Sequence, residues 1–440
     1  MNLRKGILGS AAALAVLLAH GEYDFDKLIE KTASGEIILK GGMVTMTDPD
    51  VDYIKKTLKD LRDAGANHIR LNTYPFEGMT QEELATCKLP DDWSDTETNG
   101  MFKYRPWEDG SIGTLNRFLP YCEEIGLGVI LNLDAGFMPF IIDQNAKLWN
   151  DPEVREKLAD YIAEKARYFS NSPAVIGYDI LNEPIPPGST AWEEDGAWLT
   201  WGYNAEDAGD RKEILADFYN TVIEKIRQFD KKRLIVLQPG PWGYPAGFPG
   251  LLNVTDDERV IFSFHFYDPH GFTHSNIDAW GSRTDAPDYI ATYPFTYGNN
   301  NRTYDKSTLK RVTQSVVDFQ KARTEKTGRP TIVWIGEFGS VRWNDGDSLL
   351  RWHADALELM DENQWGYAYF LYSPSHWDWH HFSPFGAEGD ALNRKEYFNA
   401  RKTNDLEYFR KMNADGPRPS FQLLLDDMNR TRDKNAVPTK

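Results

Sequence analysis

Cysteine is almost absent from this chain: Cys87 and Cys122 are the only two in 440 residues. One disulfide is the most they can form, so the fold cannot rest on a disulfide framework. Basic residues are also outnumbered, 49 Lys and Arg against 67 Asp and Glu, for a formal net charge of −18. That balance excludes the broad basic footprint of a nucleic-acid binder and disfavours an anionic membrane surface. A neutral polymer is not repelled by it. Beyond the N-terminus no apolar run approaches the roughly 20 residues that cross a bilayer, so no membrane span is expected. Gly41-Gly42 falls short of any glycine-rich phosphate-binding turn.

Aromatic residues are plentiful, with 14 Trp, 21 Tyr and 23 Phe. Most must pack the core, yet Trp93, Trp107, Trp242, Trp280, Trp377 and Trp379 sit in polar stretches rich in Gly and Pro. Indoles exposed there would stack on sugar faces, which leans toward a carbohydrate ligand. At the N-terminus Arg4 and Lys5 precede an apolar run over 7–19, and Ala19-His20-Gly21 offers a small-residue cleavage site. Residues 1–21 therefore read as a secretory signal peptide, and the mature protein as secreted or held at the cell surface or in the periplasm.

Apolar, β-branched runs recur at 37–44, 68–74, 128–134, 175–183, 233–238, 260–268, 331–339 and 366–373. Between them lie helical patterns near 51–64, 112–125, 154–168, 211–229, 307–324 and 349–362. Alternating strand and helix predicts a parallel sheet. Repeats of this number and length predict an α/β fold of the (β/α)₈ TIM-barrel type, as one catalytic domain over 22–415. Two connections, 75–110 after the second strand and 269–304 after the sixth, exceed ordinary loops of about 2–6 residues and are expected to wall a cleft. The charged end, 416–440, reads as a loosely held tail, and the protein as a monomer.

Polar residues cluster where these strands end. Two apolar runs close on glutamates, Leu181-Asn182-Glu183-Pro184 and Ile335-Gly336-Glu337-Phe338-Gly339. A carboxylate is costly at the end of a buried strand unless it is paired or used. Arg70 lies in the second strand, while His265 and Tyr267 share one face of the sixth. Asn182 and Glu183 are neighbours, so a regular strand would aim them apart unless its end twists or bulges.

These residues together, from His68-Ile69-Arg70-Leu71 through Asn182-Glu183-Pro184 and His265-Phe266-Tyr267 to Gly336-Glu337-Phe338-Gly339, resemble glycoside hydrolase family 5, the cellulase-A family, over about 36–415. The resemblance implies a retaining barrel glycosidase with Glu183 as general acid/base and Glu337 as nucleophile. It implies that Asn182 bonds the sugar 2-hydroxyl, that Arg70 and Tyr267 keep Glu337 ionised and oriented, and that His265 lines the cleft beside the acid. The two carboxyl groups should then stand about 5–5.5 Å apart. The chain departs from the family pattern in two places. Asp134 stands near the position of the family's third-strand histidine, and the eighth strand offers Phe370, with Trp377 or Trp379 just beyond, in place of a tryptophan under the sugar. Trp242 is a further candidate for sugar contact.

The expected activity is that of an endo-β-1,4-glucanase needing no cofactor and no metal. Mannan, β-1,3-glucan, xyloglucan or a glycolipid headgroup are compatible with the same catalytic set. A metal-dependent barrel hydrolase is the lesser reading: His265, His270, His274 and His380-His381 match no helical zinc spacing. A non-catalytic carbohydrate-binding barrel would be expected to lack one of the two glutamates.

Overall fold

The apolar runs become strands that pair in one closed parallel barrel, in a computed structural model describing residues 23–44, 51–72, 112–134, 148–194, 198–275, 290–296, 303–372, 382–386, 388, 396, 399–400, 403, 405–414 and 416–440. The barrel strands are β1 (Lys40–Val44), β2 (His68–Asn72), β3 (Gly128–Asn132), β4 (Val175–Asp179), β5 (Leu234–Leu237), β6 (Val260–Phe266), β7 (Val333–Phe338) and β8 (Gly366–Tyr372). Each pairs with its sequence neighbours, and β1 closes on β8. The eight-stranded α/β barrel expected from the alternation is thus the fold, with strands trimmed at their ends. Their residues are buried on both faces, as parallel strands covered by helices must be.

Outside the barrel run α1 (Phe25–Ala33), α2 (Val51–Asp63), α3 (Ile112–Glu124), α4 (Pro152–Phe169) and α5 (Ile214–Arg227). They are followed by α6 (Lys306–Val312), α7 (Gln314–Thr327), α8 (Gly346–Asn363), α9 (Leu406–Ala414) and α10 (Pro419–Thr431). Local chemistry sets several starts: the side chains of Asp151, Asp305 and Asp345 accept N–H groups of the first turns of α4, α6 and α8. The single helix expected over 307–324 is split at Thr313, whose hydroxyl bonds the Leu309 carbonyl at 3.0 Å. Cys122 is buried in the helix–barrel core; Cys87, most of both long loops and the proposed signal segment lie outside the described residues.

The core divides by depth. Helices and the outward faces of strands form one apolar layer. Within the barrel, Ile130, Ile176, Val236, Ile261, Trp334 and Ala368 cluster with Phe25 and Leu28 of α1 and with Val437. That plug, with the buried His68 edge-on against Trp334, fills the N-terminal end, while Asp179, His265 and Glu337 lie toward the C-terminal ends of their strands.

Two expectations are corrected. A hairpin, Ser189–Glu194 against Trp198–Tyr203, follows β4, although long excursions were expected only after the second and sixth strands. Its sequence signal was Asp195-Gly196 between two runs of aromatic and β-branched residues. The end of the chain is not a loose tail either. Helix α10 packs on α8 and buries Phe421, Leu424 and Met428, an apolar stripe at helical spacing. Its Asp427 accepts Lys40 Nζ at 2.7 Å and Tyr367 Oη at 2.8 Å. Beyond it, Asn435 Oδ1 accepts the Ile38 N–H at 3.0 Å, and Thr439 bridges to Tyr23.

The packing of α10 predicts that Leu424→Ala, at a site with 0% exposure, destabilises the domain by about 2–5 kcal/mol. Urea unfolding reads this directly; a loss under about 1 kcal/mol would show that the helix adds no core.

Candidate active site

Each polar side chain reaches the barrel mouth for a local reason. In β6 alternation is strict: Phe262, Phe264 and Phe266 face the helix layer, so Ser263, His265 and the following Tyr267 fall on the inner side. In β7 the register slips between Ile335 and Glu337 against β6, a bulge centred on Gly336. A Cβ at Gly336 would lie 2.5 Å from Ser263 Oγ, so glycine is what lets the strand shift there and set Glu337 beside His265. Strand β4 stops at Asp179, four residues before the expected end. Glu183 then adopts φ 53°, a left-handed conformation costing roughly 1–2 kcal/mol for a residue with a Cβ. That turn answers the difficulty of Asn182 and Glu183 being neighbours: the chain leaves the strand, and both face the same site.

At the centre is Arg70, with 0% exposure. Its Nε donates to Asp179 Oδ2 at 2.9 Å, Nη1 to Glu337 Oε1 at 2.6 Å and Nη2 to Asn182 Oδ1 at 2.7 Å. The Tyr267 hydroxyl donates to Glu337 Oε2 at 2.9 Å, so both oxygens of that carboxylate are held. His265 Nδ1 lies 2.6 Å from Glu183 Oε1 and 3.6 Å from Glu337 Oε2. One oxygen of each glutamate and a ring nitrogen of His265 all fall within 4.8 Å of one another. Such a trio could converge on a cation; the 2.6 Å contact between His265 and Glu183 is also a hydrogen-bond length.

The charge environment separates the two glutamates. Burial lifts the Glu183 pKa above its ordinary value; His265 opposes the lift and the Glu337 carboxylate adds to it. Burial, with Glu337 beside it, also drives the Tyr267 pKa far up, so its hydroxyl stays a donor. For Arg70, burial works against the charge, but Asp179 and Glu337 more than offset it and its pKa is raised. A carboxylate gripped by a guanidinium and a phenol thus stands beside a carboxyl inclined to keep its proton.

The remaining predicted residues fare differently. Asp134, fully buried, accepts Asn132 Nδ2 at 2.7 Å and the Asn182 N–H at 3.0 Å, and burial pushes its pKa up to about 7. It supports the site from behind. Trp242 is half-buried, and its backbone N–H donates to the Pro184 carbonyl at 3.2 Å, next to Glu183. Phe370 is 9% exposed and packs edge-on against Tyr267 and Phe382, so its ring braces Tyr267 and leaves little face for a sugar. His270 and His274 stack on each other with centroids 3.8 Å apart. Trp377, Trp379, His380 and His381 lie outside the described residues. Sequence reasoning missed Asp179 and Gln238. An aspartate inside the apolar run of β4 was the available signal for the first; nothing local marked the second.

A profile of the cellulase family, glycosyl hydrolase family 5, matches residues 33–376. Endoglucanase C of Acetivibrio thermocellus is 24% identical over 341 residues, covering 73% of this chain and 84% of that protein. Cellodextrinase A of Ruminococcus flavefaciens is 20% identical, covering 68% of this chain and 73% of its own. Among solved structures, the cellulose synthase subunit Z of Clostridioides difficile superposes with TM-score 0.53 at 17% identity, covering 81% of this chain and 99% of that one. Cel5A of Thermotoga maritima, solved with cellobiose, gives 0.51 at 17% identity over 83% and 98%. Carrying a family profile over most of its length and the closed parallel barrel of these structures, the chain belongs to the cellulase family of glycosyl hydrolases, family 5, and is a glycoside hydrolase.

Proposed function

We propose that this protein is a retaining endo-β-1,4-glucanase in which Glu183 is the general acid/base and Glu337 the nucleophile. The observation that supports this most is the pair itself: oxygens of the two glutamates within 4.8 Å, one held by Arg70 and Tyr267 and the other by His265. A separation of about 5 Å suits attack by a carboxylate, whereas inverting enzymes keep about 6.5–9.5 Å between the pair to admit a water.

In the first step Glu337 attacks the anomeric carbon while Glu183 passes its proton to the departing glycosidic oxygen. Arg70 and Tyr267 orient both oxygens of the attacking carboxylate. Asn182, whose Oδ1 is engaged by Arg70, offers its amide N–H to the 2-hydroxyl. In the second step the ionised Glu183 takes a proton from a water whose oxygen attacks the anomeric carbon, and the bond to Glu337 breaks, leaving the sugar with its configuration retained. The endoglucanase names of relatives favour a glucan cut internally over mannan or a glycolipid headgroup. A polymeric substrate and the basic-then-apolar N-terminus both support secretion after cleavage near residue 21; N-terminal sequencing of exported protein tests it.

A hydrolysis screen over defined β-glycans decides the substrate, with carboxymethyl-cellulose and cello-oligosaccharides expected to be cut internally. In that screen Glu337→Ala lowers kcat by about 10⁴-fold or more, the scale of losing a covalent nucleophile. Glu183→Ala lowers it by about 10²–10⁴-fold. Near-full activity of either variant would remove its assigned role. Product followed by NMR from the first turnover is the β-anomer; an initial α-anomer would sink the double displacement. Because Glu183 must enter protonated and burial raises its pKa, the alkaline limb of kcat/KM lies above the ordinary carboxylate range, with activity lost as pH rises through it. An alkaline limb near 4 would contradict that assignment.

A further inference from the structure

We propose that Gln238 is a positioning residue for the acid/base, holding Glu183 in the left-handed conformation that turns its carboxyl toward His265 and Glu337. The role rests on the proposed function of Glu183. Gln238 follows the last residue of β5 and has 0% exposure. Its Oε1 accepts the Glu183 N–H at 2.9 Å, and its Nε2 donates to Asp179 at 2.9 and 3.1 Å. The opposite amide orientation would set N–H against N–H and oxygen against carboxylate, so the network admits one orientation. Only an amide fits here: it must donate to a carboxylate at one end and accept an N–H at the other. Asp179 is itself bonded to Arg70, so through Gln238 the backbone of the acid is tied to the guanidinium that grips Glu337.

The rest of the β5–β6 connection works toward the same end. The backbone N–H of Trp242 donates to the Pro184 carbonyl at 3.2 Å, and the Gly243 carbonyl accepts the backbone N–H of His265 at 2.9 Å. Gly243 has φ 64°, and a Cβ there would sit 3.3 Å from both Gln238 Oε1 and His265 Cγ. Segment 238–243 therefore fastens both Glu183 and the histidine that touches its carboxyl. On the other flank Asp134 accepts the Asn182 N–H at 3.0 Å. Two consecutive peptide N–H groups, past the end of β4 and outside any ladder, are thus held by side chains from the two adjacent strand ends. A turn that is unfavourable by itself persists when its surroundings over-determine it.

The test is the dependence on leaving group. A misplaced acid slows departure of a poor leaving group and spares one that departs unprotonated, and kcat/KM reports the bond-breaking step alone. Phenyl and 2,4-dinitrophenyl β-cellobiosides are compared for wild type, Gln238→Met and Gln238→Asn, the last keeping an amide but withdrawing it by one methylene. Both variants lose about 10²-fold in kcat/KM on the phenyl substrate and less than about 3-fold on the dinitrophenyl one. Should the Met variant fail to fold by circular dichroism, the Asn variant carries the comparison. An equal loss on both substrates, as a merely structural role would give, or no loss, overturns the role of Gln238 while wild-type turnover leaves the glucanase reading standing. Wild type inert toward both substrates refutes the glucanase reading, and the role of Gln238 with it.

Discussion

A guanidinium with 0% exposure has to have every strong hydrogen-bonding direction met inside the protein, and the arrangement of this site follows from how Arg70 meets that demand. Its partners come from β7, from β4 and from the turn after β4, through Glu337, Asp179 and Asn182. An incomplete set would leave a charge buried without compensation, which costs about 3–5 kcal/mol in comparable pairs. Arg70 therefore fixes the strands relative to one another at the mouth of the barrel and holds one oxygen of Glu337 at the same time. Structural and chemical demands meet in one side chain.

That requirement is affordable because the barrel is divided by depth. Below, Trp334 and a ring of aliphatic side chains fill the interior, closed by α1 and Val437. Above, where strands end and helices no longer cover the sheet, charged and amide groups bond one another. The low dielectric between these zones acts on neighbouring carboxyl groups in different ways. Glu337 is saturated by cationic and phenolic donors, while Glu183 has a histidine and a second carboxylate for company. The division of labour proposed for the two glutamates comes from those neighbours, since the residue type is the same.

Much of this was legible in the linear pattern. The eight runs matched the eight strands because parallel strands covered on both faces have to be apolar throughout. His265 and Tyr267 could be placed on one face of β6 because side chains alternate strictly along a strand. Failures occurred where local pattern does not carry the cause. The charged end after residue 415 reads as tail until Leu424 and Met428 meet α8 and Asp427 meets Lys40. Phe370, expected near a sugar, meets Tyr267 and Phe382 in edge-on contacts that no local pattern announces.

The residue types at the strand ends, their order along the chain and the period of the apolar runs were determined by the sequence alone. So was the barrel class, and the two strand-end glutamates were marked as candidates, because carboxylates at the ends of buried strands stand out against apolar surroundings. Tertiary structure alone decided which groups each glutamate touches. The oxygen partners of Arg70 lie 109 to 267 residues away, and Gln238 looks like any polar residue after a short strand. Hydrogen bonds act over about 3 Å, so they are defined only when closure of the barrel brings β2, β4, β5, β6 and β7 to a common mouth.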